Sequence, residues 1–147
     1  MAFEGLLNKI RLAKANIIKN RESELLRISL DQLALIKLRI QTSGNDYNNA
    51  KFPPYTPAYA KDRKRAGYQA GYVDFTRTGR FWAGVRPKVE KSDIFSTTIT
   101  VGSEDARGKS ILKGAEKKRG NILTPSREEI DFVRKANVNR VVKHLKL

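Results

Sequence analysis

The sequence predicts an α+β fold in which helices near both chain ends pack on a small antiparallel sheet. Apolar residues recur every three or four positions over residues 3–41, which indicates amphipathic helix. β-Branched residues alternate with polar ones over residues 94–102, which indicates a strand. A third apolar helical pattern follows residue 124. A chain of 147 residues is most simply one domain, so residues 1–147 are predicted to form a single unit.

Two amphipathic segments precede residue 42. The first carries an apolar stripe at alternating steps of three and four, namely Phe3, Leu6, Ile10, Ala13 and Ile17. The second, over residues 23–41, is apolar around much of its circumference, which predicts burial in the core, in a subunit contact, or in both. Asn20 and Ser23 could end the first helix and begin the second. One kinked helix and two separate helices therefore both fit the pattern.

The middle of the chain is predicted to be a long loop followed by a hairpin. Residues 42–57 are rich in Pro, Asn and Asp, which indicates a loop, and residues 59–65 have the composition of a short helix. Glycines then keep regular structure short. Residues 83–91 and 94–102 are predicted to pair as an antiparallel hairpin, with its turn at Lys91-Ser92-Asp93.

The last third of the chain is predicted to be a basic loop followed by a helix. Residues 103–121 are polar and basic, so we expect an exposed, mobile segment with a short helix near residues 112–118. Thr124 is the predicted N-cap of the final helix and Pro125 its first residue. The apolar face of that helix is predicted to comprise Ile130, Val133, Ala136, Val141 and Leu145.

The composition argues against catalysis and for a polyanionic partner. Thirty Lys and Arg against fifteen Asp and Glu give a net charge of +15, which favours nucleic acid, an anionic surface or an acidic protein. The chain lacks cysteine, and its one histidine, His144, lies between lysines near the predicted end of the last helix. We therefore predict no enzyme activity, no cofactor and no metal. A metal-dependent nuclease using Asp62 or Asp74 is a weaker alternative.

Membrane association is not predicted either. No apolar run approaches the roughly 20 residues that a bilayer span requires.

Residues 51–86, the aromatic-basic segment, are the strongest functional signal. They contain four of the five tyrosines, the one tryptophan and eight Lys or Arg residues. Aromatic rings could stack on bases while the cations contact phosphates, or the same residues could form a protein interface. The alternative is that the tyrosine rings are buried against the domain and have only a structural role. The second basic tract, residues 107–119, lacks aromatic residues and could contact phosphates only by charge. The predicted contact residues are Tyr55, Tyr59, Lys61, Arg63, Arg65, Arg77, Arg80, Trp82, Lys117, Lys118 and Arg119.

The order of motifs through the first half of the chain resembles the phage virion-morphogenesis family of neck and tail-completion proteins. The matching residues are Arg39-Ile40, Gly44, Pro54-Tyr55-Thr56, Tyr59-Ala60-Lys61, Gly67 and the run Val73-Asp74-Phe75-Thr76-Arg77-Thr78-Gly79-Arg80. A later Arg119-x-x-Ile122-Leu123 before a Glu-containing helix is also similar. The resemblance covers about a third of the chain by motif and the remainder by order of elements.

The resemblance implies a non-enzymatic structural subunit of the virion, assembled in the host cytoplasm. Such a subunit would form a homo-oligomeric ring of about six or twelve copies at the head–tail junction. It would join portal or adaptor proteins to tail proteins, and its basic loops would face the DNA channel or an acidic neighbour. The alternative that the residues leave open is a sequence-nonspecific nucleic-acid-binding protein.

Overall fold

Five helices surround one two-stranded antiparallel sheet over residues 2–145, the part of the chain that the computed structural model describes, and this confirms the α+β class. Side chains are described within residues 4–139. The elements are α1 (Ala2–Ser43), α2 (Pro57–Arg65), α3 (Arg80–Gly84), β1 (Val85–Ser92), β2 (Thr97–Ser103), α4 (Ala106–Arg119) and α5 (Arg127–Leu145). The two amphipathic segments at the start of the chain are therefore one continuous helix, and the predicted short helix before residue 66 is α2.

The second half of α1 supplies the largest stripe of the core. Leu33, Ile36 and Ile40 are buried together with the aromatic side chains of the following loop. Leu38, on the opposite side of the helix, and Leu30, at the edge of the buried face, are more than half exposed. The apolar circumference that the sequence predicts is thus divided between a buried face and a solvent-facing one.

The first half of α1 projects away from the rest of the chain. Arg21 is its anchor: the guanidinium donates to Thr97 Oγ1 at 2.9 Å and to the carbonyl oxygens of Asp93 and Ile94 at the hairpin end. Residues 4–20 are almost all exposed. We call residues 2–20 the N-terminal arm, and at a rise of about 1.5 Å per residue it is about 28 Å long.

The hairpin forms as predicted, but its turn lies further along the chain. Pairing runs from Val85 opposite Ser103 to Ser92 opposite Thr97, with an irregularity between Val89 and Lys91. The predicted turn at Lys91-Ser92-Asp93 is wrong because Lys91 and Ser92 belong to β1. The carboxylate of Asp93 accepts hydrogen bonds from the backbone N–H groups of residues 95 and 96, both at 2.8 Å, and this closes the turn over residues 93–96.

The short helix predicted near residues 112–118 is present but longer, as α4, so the prediction of a loop over residues 106–111 is wrong. The Asp105 carboxylate caps the helix by accepting from Gly108 N at 2.8 Å. Ala115 is buried in the core. Gly108 lies so close to β2 that a Cβ there would be 2.0 Å from Ser103 Oγ. A glycine in the first turn therefore lets α4 pack directly against the sheet.

The start of α5 also differs from the prediction. Ser126, not Thr124, is the N-cap: its hydroxyl accepts from Glu129 N at 3.2 Å, and its N–H donates to the Glu129 carboxylate at 2.8 Å. Pro125 consequently lies outside the helix. The carbonyl of Thr124 instead accepts from Arg39, which also pairs with Glu129 at 2.8 Å.

The predicted apolar face of α5 is described only in its first half. Val133 is buried, Ala136 is half-buried and Ile130 is exposed. Val141, Leu145 and the lone His144 lie outside the described side chains.

Candidate polyanion-binding cleft

A buried arginine organises the aromatic-basic segment. Arg63, on α2, is only 1% exposed. Its Nη2 lies 2.9 and 3.2 Å from the two carboxylate oxygens of Asp74, and its Nε donates to the carbonyl of Gln69 at 2.7 Å. A buried charge requires such a partner, because an unpaired one loses its hydration without compensation. The ion pair therefore ties α2 to the chain that leads into α3.

Three tyrosines surround that guanidinium. Its carbon lies 4.7 Å from the ring centre of Tyr55, 5.9 Å from that of Tyr59 and 5.8 Å from that of Tyr68. Cation–π attraction strengthens when both groups are removed from water. The tyrosine-rich composition of this segment is thus explained largely by the packing of one arginine.

Asp74 is the hub of a hydrogen-bond network. Its carboxylate accepts from the Tyr55 hydroxyl at 3.0 Å and from Thr76 N at 3.0 Å, and its carbonyl accepts from the Trp82 indole at 2.9 Å. Burial by itself would raise the pKa of Asp74, but hydrogen bonds from Thr76, Gln69 and Tyr55 outweigh burial and lower that pKa. Burial raises the pKa of Tyr55, so its hydroxyl keeps its proton and can donate. The Asp74 carboxylate is therefore ionised near neutral pH and accepts hydrogen bonds from Arg63, Tyr55 and Thr76.

Outside this buried network lies an open cleft of about 1120 Å³. One wall comes from the loop before α2 and the turn before α3, and the other wall is the exposed face of α4. Both basic tracts of the sequence therefore meet at one site. The cationic residues on its walls are Arg63, Arg77, Arg80, Arg107, Lys118 and Arg119.

The cations on the cleft surface are mostly unneutralised. Arg77 pairs with Asp62 at 2.8 Å, whereas Arg80, Arg107 and Lys118 are exposed and form no ion pair within the described part of the chain. Asp105 is the acidic residue on the wall, and its carboxylate already caps α4. Several cationic side chains with few carboxylates among them give a positive potential that attracts polyanions.

Aromatic side chains form the floor beside these cations. Phe75 packs against Phe81 with ring centres 5.3 Å apart, and the guanidinium of Arg119 lies 5.9 Å from the Phe75 ring. Phe75 has a left-handed backbone (φ 55°), which is uncommon for a bulky residue. Tyr59 also faces the cleft, under the guanidinium of Arg77 at 5.5 Å. The site thus combines charge with flat apolar surface, as sequence-independent nucleic-acid sites do.

The predicted contact residues separate into three groups. Those that line the cleft with exposed or half-buried side chains are Tyr55, Tyr59, Arg77, Arg80, Lys118 and Arg119. Arg63 and Trp82 are buried, so their packing holds the cleft in shape while their surfaces offer a partner almost nothing. Lys61, Arg65 and Lys117 are exposed but do not line the cleft.

Arg107 is a cleft cation that was not among the predicted contacts. It shares one helical face with Ile111 and Lys118, at spacings of four and seven residues. That spacing is visible in the sequence once residues 106–119 are recognised as a helix. The missed signal was therefore the Asp105 cap, not the charges themselves.

The carboxylates that a nuclease would need are occupied by arginines. Asp74 is held by Arg63, and Asp62 lies 2.8 Å from Arg77 and 3.4 Å from Arg65. Within the described residues, no cluster of three or more acidic or histidine side chains has the arrangement of a metal site. These contacts give the nuclease alternative no support.

Two further findings bear on the class of protein. None of the helices within residues 2–145 has the combination of length and apolarity that a bilayer span needs. Comparison of the chain with protein-family models, curated proteins and solved structures found no match. Its function therefore has to follow from its own residues and their geometry.

Proposed function

We propose that this protein is a non-enzymatic structural subunit of a phage head–tail junction. In this role, copies of the chain form a ring between portal-side and tail-side proteins of the virion. The cationic cleft faces a polyanion, either the DNA in the channel or an acidic neighbouring protein. Assembly in the host cytoplasm and residence in the virion follow from that role.

One observation carries the proposal: the motifs that resemble neck and tail-completion proteins also line the cleft. The first motif contributes Tyr55 and Tyr59, and the second contributes Arg77, Thr78 and Arg80. The two stretches are separated in sequence, and the fold brings them to one surface. Shared motifs at a docking surface are what a common mode of assembly would require.

Other residues of the resemblance have architectural roles. Arg39 joins α1 to the following loop and to α5, through Asn45 O at 2.8 Å and Glu129 at 2.8 Å. Gly44 has φ 64°, and a Cβ there would lie 2.8 Å from that of Tyr72. Only glycine fits this combination of positive φ and close approach. These positions explain why the order of motifs would be retained by proteins that share this architecture.

The proposal is tested by the assembly state of the purified, nucleic-acid-free protein. Native mass spectrometry and negative-stain imaging, alone and with short duplex DNA, should give closed rings of fixed copy number. The central opening should be wide enough for duplex DNA, because the channel carries it. A protein that stays monomeric and coats DNA in proportion to its length would contradict the ring.

The second candidate function is sequence-nonspecific nucleic-acid binding, and the charge of the cleft favours it. Arg80, Arg107 and Lys118 have no acidic partner among the described residues, and such cations release counterions when phosphates replace them. A coating protein of this kind binds duplex DNA or RNA as a free monomer, with affinity falling steeply as salt rises. Binding without rings would select this function over the first.

A further inference from the structure

The N-terminal arm has the surface pattern of a helix that packs against another helix. Leu6, Ile10, Ala13 and Ile17 recur at steps of four, three and four, which is the spacing of a coiled-coil seam. In the structure Leu6 is 55%, Ile10 43% and Ile17 56% exposed. The seam therefore has no cover within the described chain, and its period specifies a helical partner.

The charges beside the seam disfavour pairing of two identical arms. Lys9 and Lys14 occupy the positions that flank it on either side. In a parallel pair of arms, Lys9 of one helix would face Lys14 of the other, and like charges at these positions oppose association. The seam is also only about two heptads long, which is short for an independent coiled coil. A different surface must cover it.

A groove of suitable character lies between α1 and α5 on the body of the same chain. Its volume is about 480 Å³, and its lining includes Ile28, Ile130, Val133 and Val138. The α5 portion from Ile130 to Val138 is about 12 Å long, compared with about 16 Å from Leu6 to Ile17 at 1.5 Å per residue. Two antiparallel helices with an apolar groove between them lack the third helix that would complete a bundle.

The rim of the groove complements the arm in charge. Glu24 lies one helical turn before Ile28 on α1, and Arg134, the cation that lines the groove, is already paired with Asp131 at 3.7 Å. The Glu24 carboxylate borders the α1 side of the groove, where a flanking lysine of a docked arm would lie. The arm thus meets opposite charge here, instead of the like charge of a second arm.

A buried side-chain amide without a hydrogen-bond partner also indicates that another segment binds in the groove. Gln32 lines the groove, and its Nε2 is buried without a hydrogen-bond acceptor among the described residues. A buried amide donor without a partner is unfavourable, and native structures contain few of them. Rotation of this side chain toward the groove would let an acceptor oxygen of a docked segment satisfy it.

We infer that the N-terminal arm of one copy docks in the α1–α5 groove of a second copy. The contact joins two different surfaces, so it can propagate from copy to copy and close into a ring. This inference deepens the proposed assembly role and rests on it. It names the two surfaces that hold neighbouring subunits together.

The test uses two double variants of the full chain, each altered on one side of the contact. Leu6→Glu/Ile10→Glu changes the arm seam, and Ile130→Glu/Val138→Glu changes the groove; all four positions are exposed, so folding should persist. Self-association measured by native mass spectrometry and light scattering should weaken at least about 100-fold in both, since charges replace the apolar contact. Leu12→Glu and Phe132→Glu are matched controls, exposed on the same two helices but outside both surfaces, and should associate normally.

Mixing the two double variants separates this contact from other modes of assembly. The arm variant keeps an intact groove and the groove variant keeps an intact arm, so the mixture should form a one-to-one heterodimer. Normal association of the groove variant alone would overturn the docking in favour of another interface, and monomeric wild-type protein at every concentration would overturn it too.

The same experiment distinguishes failure of the docking from failure of the proposed function. Rings that persist in both double variants would leave the junction role standing and overturn the docking. Open filaments or reciprocal dimers that both variants abolish would support the docking and contradict the ring.

Discussion

Arg63 and Arg80 lie in the same aromatic-basic segment, yet they occupy opposite environments. Arg63 is buried against Asp74 beneath three tyrosines, whereas Arg80 is exposed on the cleft wall and has no acidic partner among the described residues. The difference lies in the neighbours and not in the residue type. A carboxylate at the correct distance turns one arginine into part of the core, and its absence leaves the other available to a partner.

These two environments give two sets of cations different tasks. The buried ion pair fixes the relative positions of α2 and the turn before α3, and thereby the shape of the cleft. The exposed set, which comprises Arg80, Arg107 and Lys118, supplies charge without contributing to packing. Substitutions in the first set should change stability, and substitutions in the second should change binding.

Removing the buried cation should have the largest effect on stability. Arg63→Ala leaves the Asp74 carboxylate buried without its ion-pair partner, so the free energy of unfolding should fall by about 3–5 kcal/mol. Urea denaturation followed by circular dichroism measures this. Arg65→Ala is the control, because that side chain is 85% exposed and its ion pair with Asp62 should contribute at most about 1 kcal/mol. Equal stability of the two variants would contradict the claim that Arg63 is a structural cation and Arg65 is not.

Removing one hydroxyl from the network should have a smaller effect. Tyr55→Phe deletes the donor to Asp74 Oδ1 and the acceptor of Asp74 N, while the ring stays over Arg63. The free energy of unfolding should fall by about 1–3 kcal/mol. Tyr68→Phe provides the comparison, since Tyr68 also packs on Arg63 but is exposed. A loss as large in Tyr68→Phe would mean that the network around Asp74 is not what matters.

Acid should weaken the buried ion pair by protonating the Asp74 carboxylate. The pKa of Asp74 is lowered in the folded protein, so its contribution to stability is complete above the unfolded carboxyl pKa of about 3.9. That contribution is lost as pH falls through the lowered folded pKa. Unfolding free energies measured from pH 7 downward should therefore decline steeply only in this acid range. In Tyr55→Phe, which removes one of the hydrogen bonds that lower this pKa, the decline should be shallower, and an unchanged pH profile in that variant would argue against the assignment.

Part of this arrangement follows from the sequence and part does not. Periodic apolar residues predict α1, the hairpin and α5, because each period matches one type of backbone and is seldom sustained by chance over so many residues. The first part of α4, residues 106–111, was predicted as loop because its stability comes from one cap at Asp105 and from the close approach that Gly108 permits to the sheet. Neither feature produces a periodic signal.

The division of the cations was not predictable for a similar reason. Arg63 and Arg65 are two positions apart and identical in type, and tertiary contact with Asp74 alone separates them. The cleft itself depends on bringing residues near 55, near 77 and near 118 together. A single sequence contains no local signal for that proximity, although the resemblance already grouped the first two regions.

Exposed cations should contribute little to stability. In Arg80→Ala/Arg107→Ala the free energy of unfolding should stay within about 0.5 kcal/mol of the wild-type value, because neither side chain has an ion pair or a buried contact among the described residues. Thermal and urea unfolding measure this. A large loss would place these residues in the architecture instead of on a docking surface.

The most direct test of the cleft as a polyanion-binding surface compares two variants of equal net charge. Arg80→Ala/Arg107→Ala removes two cations from the cleft, and Lys61→Ala/Arg65→Ala removes two exposed cations outside it. Binding to a short DNA duplex is titrated over a series of salt concentrations. We expect the cleft variant to bind more weakly and to lose about two units from the slope of log affinity against log salt, while the other variant keeps the wild-type slope. Equal losses in both variants would contradict a role for the cleft, because net charge alone would then account for binding.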